Sequence, residues 1–383
     1  MHTIGRKIYQ KMLNSLEAGQ ISVLYGPRRT GKTTILEMIK GHYENQLKLK
    51  VVMMDGEDVD VQKVFSSKSV AVLENALKNI DLLILDEAQK IEDVGISLKL
   101  IADHFKFLKV IASGSASFDL SQKLGEPLTG RKKTFILFPL SFAELLEDQS
   151  SINPWRITER QLIYGSYPKT ATLNDGEVLQ YLKELSTDYL FKDILEMENI
   201  KNSNKLRDLL VLLAFQIGYE VSLSELGNKL DLHKDTVAKY LDLLEKTFVI
   251  FNVRGFSRNL RNEVSKTSRF YFYDNGIRNT LIQNFNSLDL RSDQGQLWEN
   301  YLAVERLKIQ NYEDMAVNNY FWRTYDKNEI DWVEESGGNL KGFEFKFGKG
   351  SVSKATSNLW KESYENASIE VVDRENYVKF LSG

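Results

Sequence analysis

Two groups of residues have types and spacings that can do chemistry. The first is a phosphate cradle. In YGPRRTGKTT, Tyr25 to Thr34, Gly26 is followed by four residues and then by Gly31-Lys32-Thr33. The glycines let the chain turn so that backbone N–H groups along Gly26, Pro27, Arg28, Arg29, Thr30, Gly31 and on to Thr34 converge on phosphate oxygens, Pro27 alone having no N–H to give. Lys32 can reach β- and γ-phosphates, and the Thr33 hydroxyl is placed to ligate Mg²⁺. Further on, LLILDEAQK ends an apolar run on Asp86 and Glu87. A carboxylate at the end of a buried strand is costly unless it is used. The use expected of Asp86 is to hold Mg²⁺ through water. Glu87 is then placed to orient or activate the attacking water. The alternative is that these acids cap a helix opened by DEAQK.

The second group lies in the last hundred residues. NEIDWVEES and LKGFEFKFG alternate at period two around Gly337-Gly338, a two-residue hairpin turn. With that turn, Trp332 faces Phe343 and Ile330 faces Phe345 on one apolar face. On the other face Asp331 lies opposite Glu344, and Glu329 opposite Lys346. Opposed carboxylates repel, and a cation between them removes the objection. Asp331, then Glu344-x-Lys346 on the next strand, with Glu299 on an earlier helix, is similar to restriction-endonuclease-like nucleases. The resemblance implies a divalent-metal site at Asp331, Glu344 and Glu299, with Lys346 assisting the nucleophile.

The elements that must position the cradle are legible around it. ISVLY (21–25), KVVMMD (50–55), LLILD (82–86), KVIAS (109–113) and TFILF (134–138) are apolar runs alternating with helical patterns. Near-continuous apolarity suits strands covered on both faces, and the alternation implies a parallel sheet. ISVLY leads into the glycine loop and KTTILEMIKGHY then reads as a helix, whose positive dipole end points at the same anion. The fourth run ends in ASGSAS, so Ser113 or Ser115 is placed to sense a γ-phosphate. Arg131 precedes the fifth run, where an arginine finger can lie.

The adjacent Asp86-Glu87 resembles the additional-strand ATPases, including the AAA+ class, more than small GTPases. GPRRTGKTT, LLILDEAQK, SGSAS, GRKKTFILFPLSFAELL and the later GSYPKT resemble a large prokaryotic family of AAA+-like ATPases fused to a C-terminal region of poorly defined function. The resemblance runs through most of the chain. It implies ATP as ligand and a five-stranded core, and it supplies no physiological role.

The middle of the chain carries other signals. QSSINP (149–154) reads as a linker, and the mostly helical stretch after it as a lid or connector. LRDLLVLLAFQIG reads as a buried helix. A helix opened by Ser222 or Ser224, a short turn, a second helix from about Lys234 and a strand then give a helix-turn-helix followed by a wing. The second helix exposes His233, Lys234, Thr236 and Lys239, offset by Asp235, Asp242 and Glu245. Between Arg254 and Arg269 stand five basic residues and one acid, among them Arg258 and Arg261, a hairpin suited to a DNA backbone.

The expected fold is therefore α/β. A P-loop NTPase parallel sheet, AAA+-like with five strands (1–148), is followed by a helical connector (149–203), a winged helix-turn-helix (204–285) and a small α/β nuclease-like domain (286–383). A net charge of −3 over 383 residues rules out a polybasic glue, so any nucleic-acid surface is local. The absence of cysteine excludes disulfides and thiolate metal sites. The charged start has no apolar core for a signal peptide, and no apolar run approaches a membrane span, so the expected location is cytoplasmic. Two readings of function follow. In one, ATP turnover with Mg²⁺ drives engagement of DNA by the C-terminal domains. In the other, the protein is a slow nucleotide switch, possible as a homo-oligomer, whose C-terminal part is a protein-interaction module.

Overall fold

The structure, a computed structural model, describes residues 3–114, 128–186, 203–257, 268–324 and 326–382. Ser115, Arg258 and Arg261 lie outside the described residues. Two compact units are present: Met1–Pro139 with Lys246–Phe248, and Leu140–Glu245 with Val249–Gly383.

The first unit is built on β1 (Ile21–Tyr25), β2 (Val51–Asp55), β3 (Leu82–Asp86), β4 (Lys109–Gly114) and β5 (Lys132–Ile136). They form one parallel sheet in the order β2-β3-β4-β1-β5. β1 and β3 are buried along their whole length, as unbroken apolar runs require when helices cover both faces. Leu82, Leu83, Ile84 and Leu85 are each 0% exposed. Each contributes roughly 1.5–3 kcal/mol of burial, which is what allows the strand to end on a buried carboxylate. Edge strand β5 starts two residues earlier than its apolar run, because Lys132 and Lys133 pair with Ile21 and Ser22 while their side chains stay partly exposed. All five strands run the same way, so β1 delivers the glycine loop and β3 delivers Asp86 to the same edge of the sheet.

The second unit begins earlier than residue 149. The helix Phe142–Asp148, expected to close the ATPase domain, belongs to the second unit. Phe142 N–H donates to Glu305 at 2.8 Å, and Lys308 Nζ donates to the Leu140 carbonyl at 2.9 Å. Both partners come from the long helix Gln294–Tyr312. The expected linker instead supplies Asn153 as the cap of the helix Pro154–Tyr164. The expected lid is likewise packed into this unit. Asn279 Nδ2 donates to the Leu162 and Ile163 carbonyls, and Tyr167, Val178, Tyr181 and Leu182 form a core with Ile277.

Its sheet has seven strands: β6 (Glu220–Val221), β7 (Ile250–Gly255), β8 (Ser268–Phe272), β9 (Asn318–Arg323), β10 (Glu329–Ser336), β11 (Asn339–Phe345) and β12 (Ala367–Val372). The order is β12-β11-β10-β9-β7-β8-β6. The boundary expected at 285/286 is not a break in the structure, because β7 pairs in parallel with β9 across it. Among the described residues the helix Ser203–Phe215, β6, the helices Leu223–Leu230 and Lys234–Lys246, β7 and β8 follow one another in chain order, and Ser222 caps the second helix by accepting from Glu225 N–H.

Candidate functional site

The glycine loop is shaped by two close constraints. A Cβ at Gly26 would lie 2.3 Å from the Leu137 carbonyl oxygen, so only glycine allows β1 to leave the sheet there. Gly31 has a φ of 96° and opens the helix Lys32–Gly41 without a side-chain cap. The first N–H groups of that helix are therefore left for an anion. The Thr30 hydroxyl donates to the Pro27 carbonyl at 2.8 Å and closes the loop. Lys32 is buried, and its Nζ donates to the Gly26 and Pro27 carbonyls, each at 2.9 Å. The ammonium thus rests on two neutral carbonyl oxygens of the loop.

Thr33 Oγ1 donates to Asp86 Oδ2 at 2.7 Å, although the two are far apart in sequence. That separation is near the ~3 Å between adjacent oxygens of an octahedral Mg²⁺ shell with ~2.1 Å bonds, so the pair fits such an ion. The other oxygen, Asp86 Oδ1, accepts from the Ser113 hydroxyl and from Glu87 N–H. Ser113 therefore fixes the carboxylate of Asp86 instead of standing free to sense a phosphate. Glu87 sits in the left-handed region, φ 48°, a conformation that is costly for a residue with a Cβ and clusters at functional sites. Its Oε2 accepts from the Gln89 amide.

Two further residues of this site carried no sequence signal. Gln89 is one. The other is Arg6, whose Nη1 donates to the Thr30 carbonyl at 2.7 Å and whose Nη2 donates to the Phe138 carbonyl at 2.6 Å. It ties the phosphate loop to the chain leaving β5. Arg131 is not brought to the loop. Its carbonyl accepts from Ile21 N–H at the start of β1, a strand length or ~13 Å from Tyr25 at ~3.3 Å per residue. Its Nε pairs with Asp103 at 2.8 Å, which holds the Asp103 carboxyl below its ordinary range.

In the second unit Trp332 pairs with Phe343 and Ser336 with Asn339, the register set by Gly337-Gly338. The faces differ from expectation. A β-bulge places Asp331 and Trp332 against the single residue Phe321 of β9. Ile330 consequently packs with Val333, Leu340 and Trp360, while Trp332 meets Tyr271 and Phe345 meets Phe380. Asp331 Oδ2 accepts from Phe345 N–H at 2.9 Å, and Lys346 Nζ pairs with Glu344 at 2.6 Å instead of with Glu329. Burial, and then the charge of Asp331, push Glu344 up to about 7. Burial and the same charge push Glu299 up to about 8.

The cation between these acids comes from the chain itself. Arg269 of β8 is 1% exposed. Its Nη1 lies 3.5 Å from Glu299 Oε1 and 3.6 Å from Asp331 Oδ1, and its Nη2 lies 3.0 Å from Glu329 Oε2. Among the described residues no three His, Asp or Glu side chains are arranged to hold a metal ion. Within the expected metal site of Asp331, Glu344 and Glu299, the Arg269 guanidinium stands between Asp331 and Glu299, while Glu344 is met by Lys346. The same contact corrects the basic hairpin, since Arg269 is buried and cannot meet phosphates. Lys234, Lys239 and Arg254 are exposed.

Residues 18–146 match a family model described as an AAA domain. Residues 156–288 and 294–380 match models described as domains of unknown function, DUF8612 and DUF4143. An uncharacterized protein of Haemophilus influenzae is 22% identical over 373 residues, covering 93% of this chain and 90% of that one. An uncharacterized protein of Methanocaldococcus jannaschii is 23% identical over 350 residues, covering 86% and 74%. Among solved structures, the replication initiator DnaA bound to AMPPCP and single-stranded DNA superposes with a TM-score of 0.33 at 16% identity, over 62% of this chain and 86% of that one. Cdc6p from Pyrobaculum aerophilum superposes at 0.29 and 12%, over 72% and 92%. No helix among the described residues is long and apolar enough to cross a membrane.

Proposed function

With its first unit an AAA+-like P-loop ATPase domain, we propose that the protein binds ATP with Mg²⁺ and hydrolyses it, and that the nucleotide state is coupled to DNA engagement by the second unit. The observation that carries the enzymatic half is the Thr33–Asp86 hydrogen bond. It sets a hydroxyl beside a carboxylate at the head of a helix whose uncapped N-terminus and buried lysine favour an anion. Lys32 exchanges its two loop carbonyls for β- and γ-phosphate oxygens. Thr33 and Asp86 would hold Mg²⁺, which neutralises charge on those oxygens when bound. Glu87 orients or deprotonates the attacking water. Arg131 lies at the far end of the strands, so as a finger it can serve only the nucleotide of another copy of the chain.

The DNA half is supported by the helix–strand–helix–helix–strand–strand order of the described residues between Ser203 and Phe272, the order of a winged helix-turn-helix. Lys234, Lys239 and Arg254 are its exposed cations, and Arg258 and Arg261 follow in sequence. The test is ATP turnover with and without duplex DNA over a range of salt. Stimulation by DNA that fades with ionic strength supports the reading. Lys32→Ala should abolish nucleotide binding.

A second reading has one observation in its favour. The carboxylate cluster is neutralised by Arg269, which suits a slow nucleotide switch whose second unit is a protein-interaction module without nuclease chemistry. Slow turnover that ignores DNA would select it.

A further inference from the structure

The acids of the second unit gather from two elements. Glu299 comes from the long helix, and Glu329 and Asp331 come from β10. Arg269 arrives from β8, separated from β10 by two strands. Its guanidinium lies over the ring of Phe321 at 4.4 Å, so it is supported from beneath and is not a mobile surface arm. Tyr271, two residues along the same strand, donates to Glu299 at 2.7 Å and fixes that carboxylate beside it.

The fit of the guanidinium is one of charge more than of hydrogen bonding. Nε and Nη1 are buried and make no hydrogen bond, and Nη1 stands nearly equidistant from Glu299 and Asp331. A fork-to-carboxylate pair would put two nitrogens on one acid at shorter range. Instead one nitrogen bridges two acids, which is the role of an ion shared between carboxylates. A buried donor without a partner is costly, and here the surrounding negative charge is what offsets it.

From this geometry we propose that Arg269 is the resident cation of the Glu299–Glu329–Asp331 cluster, and that it keeps the cluster closed to divalent metals. Removing the guanidinium should let the same three carboxylates, which as they stand do not converge on one point, close around a divalent cation. The claim concerns the second unit alone and does not depend on the ATPase reading. Lys346 does not take this place, because it is already paired with Glu344.

The experiment uses the full chain in an Asp86→Asn background, which silences the metal site proposed in the first unit. Mn²⁺ is the probe, read by calorimetric titration and by thermal unfolding against EDTA. The Arg269 parent should show no Mn²⁺ binding and no shift. Arg269→Met should unfold at lower temperature in EDTA, bind about one Mn²⁺, and regain roughly 5 °C when the ion is well above its Kd. Adding Asp331→Asn should erase that gain. If Arg269→Met is too unstable to purify, Arg269→Gln removes the charge while keeping a polar side chain and all three carboxylates, and the Mn²⁺ gain must then be seen there. Mn²⁺ binding by the Arg269 parent that is lost with Asp331→Asn would overturn the proposal. So would a folded Arg269→Met protein, or a folded Arg269→Gln protein in its place, that ignores Mn²⁺.

Discussion

Replacing Arg6 by Gln should loosen the phosphate loop from a distance in sequence. Arg6 makes two short charge-assisted bonds, 2.7 Å to Thr30 O within the loop and 2.6 Å to Phe138 O beyond β5. Bonds of this kind are worth about 1.5–3 kcal/mol each when buried. Arg6 is only partly buried, so about 2 kcal/mol for the pair is a reasonable scale, some of it being the cost of two carbonyls left without a donor. In a unit of this size about 2 kcal/mol lowers Tm by roughly 4–8 °C. If half of it holds Thr30 and Gly31 in the conformation that receives phosphate, nucleotide affinity should fall by roughly tenfold or less, since ~1.4 kcal/mol is a factor of ten. The assay is a fluorescent-nucleotide titration beside thermal unfolding in the absence of nucleotide. Arg6→Lys can reach one carbonyl and should recover part of both losses. A clear drop in Tm with unchanged affinity would refute the link, because the loop would then hold its shape without Arg6.

Three further outcomes are expected. Glu87→Gln should keep nucleotide binding, since Lys32, Thr33 and Asp86 are untouched, and lose turnover by at least about a hundredfold in a phosphate-release assay. Replacing Lys234 and Lys239 by Ala should weaken DNA binding about equally for unrelated duplexes and lower the salt slope by roughly one unit per lost phosphate contact, read by binding titrations at several ionic strengths; affinity that ignores salt would count against this surface. Glu299, pushed up to about 8 by burial and by Asp331, holds a proton in the folded state that the unfolded chain releases above its ordinary value. Its contribution to stability is therefore complete below about pH 4.5 and is lost as pH rises toward 8. Glu299→Gln cannot ionise and should have a higher unfolding free energy than the natural sequence at pH 8, by at least ~1 kcal/mol in denaturant titrations, with the difference vanishing near pH 4.5.

The parallel sheet was legible because each of its strands is a local event. ISVLY and LLILD are apolar without a break, and residues 21–25 and 82–86 are strands to the residue. The nucleotide site inherits that legibility, since its loop, its lysine and its acids all sit at the ends of such strands. Arg6 shows where the signal stops. Nothing in a single arginine of an amphipathic N-terminal segment says that its guanidinium will close on Thr30, because the contact is made by tertiary packing across the sheet edge. The packing of residues 142–148 was hidden for a similar reason. SFAELL reads as the end of one domain by continuity, while Glu305 and Lys308, far along the chain, attach it to the next.

The carboxylate hairpin separates what pairing fixes from what it leaves open. The Gly337-Gly338 turn dictates that Trp332 meets Phe343, and it does. Alternation then predicts that Ile330 shares a face with Trp332. The bulge on the β9 side cancels that step, because one inserted residue exchanges the faces of everything beyond it. The same bulge frees Asp331 to turn toward Glu299 and Tyr271. Repulsion between the acids implied a cation, but repulsion has no address. A metal, a lysine on the next strand and an arginine two strands away all answer it. The choice was made by β7 pairing with β9, which carries β8 into the same sheet and brings Arg269 over Phe321. An acidic motif read along two strands thus specifies the need for positive charge, and the topology of the remaining strands decides whether the protein meets that need itself.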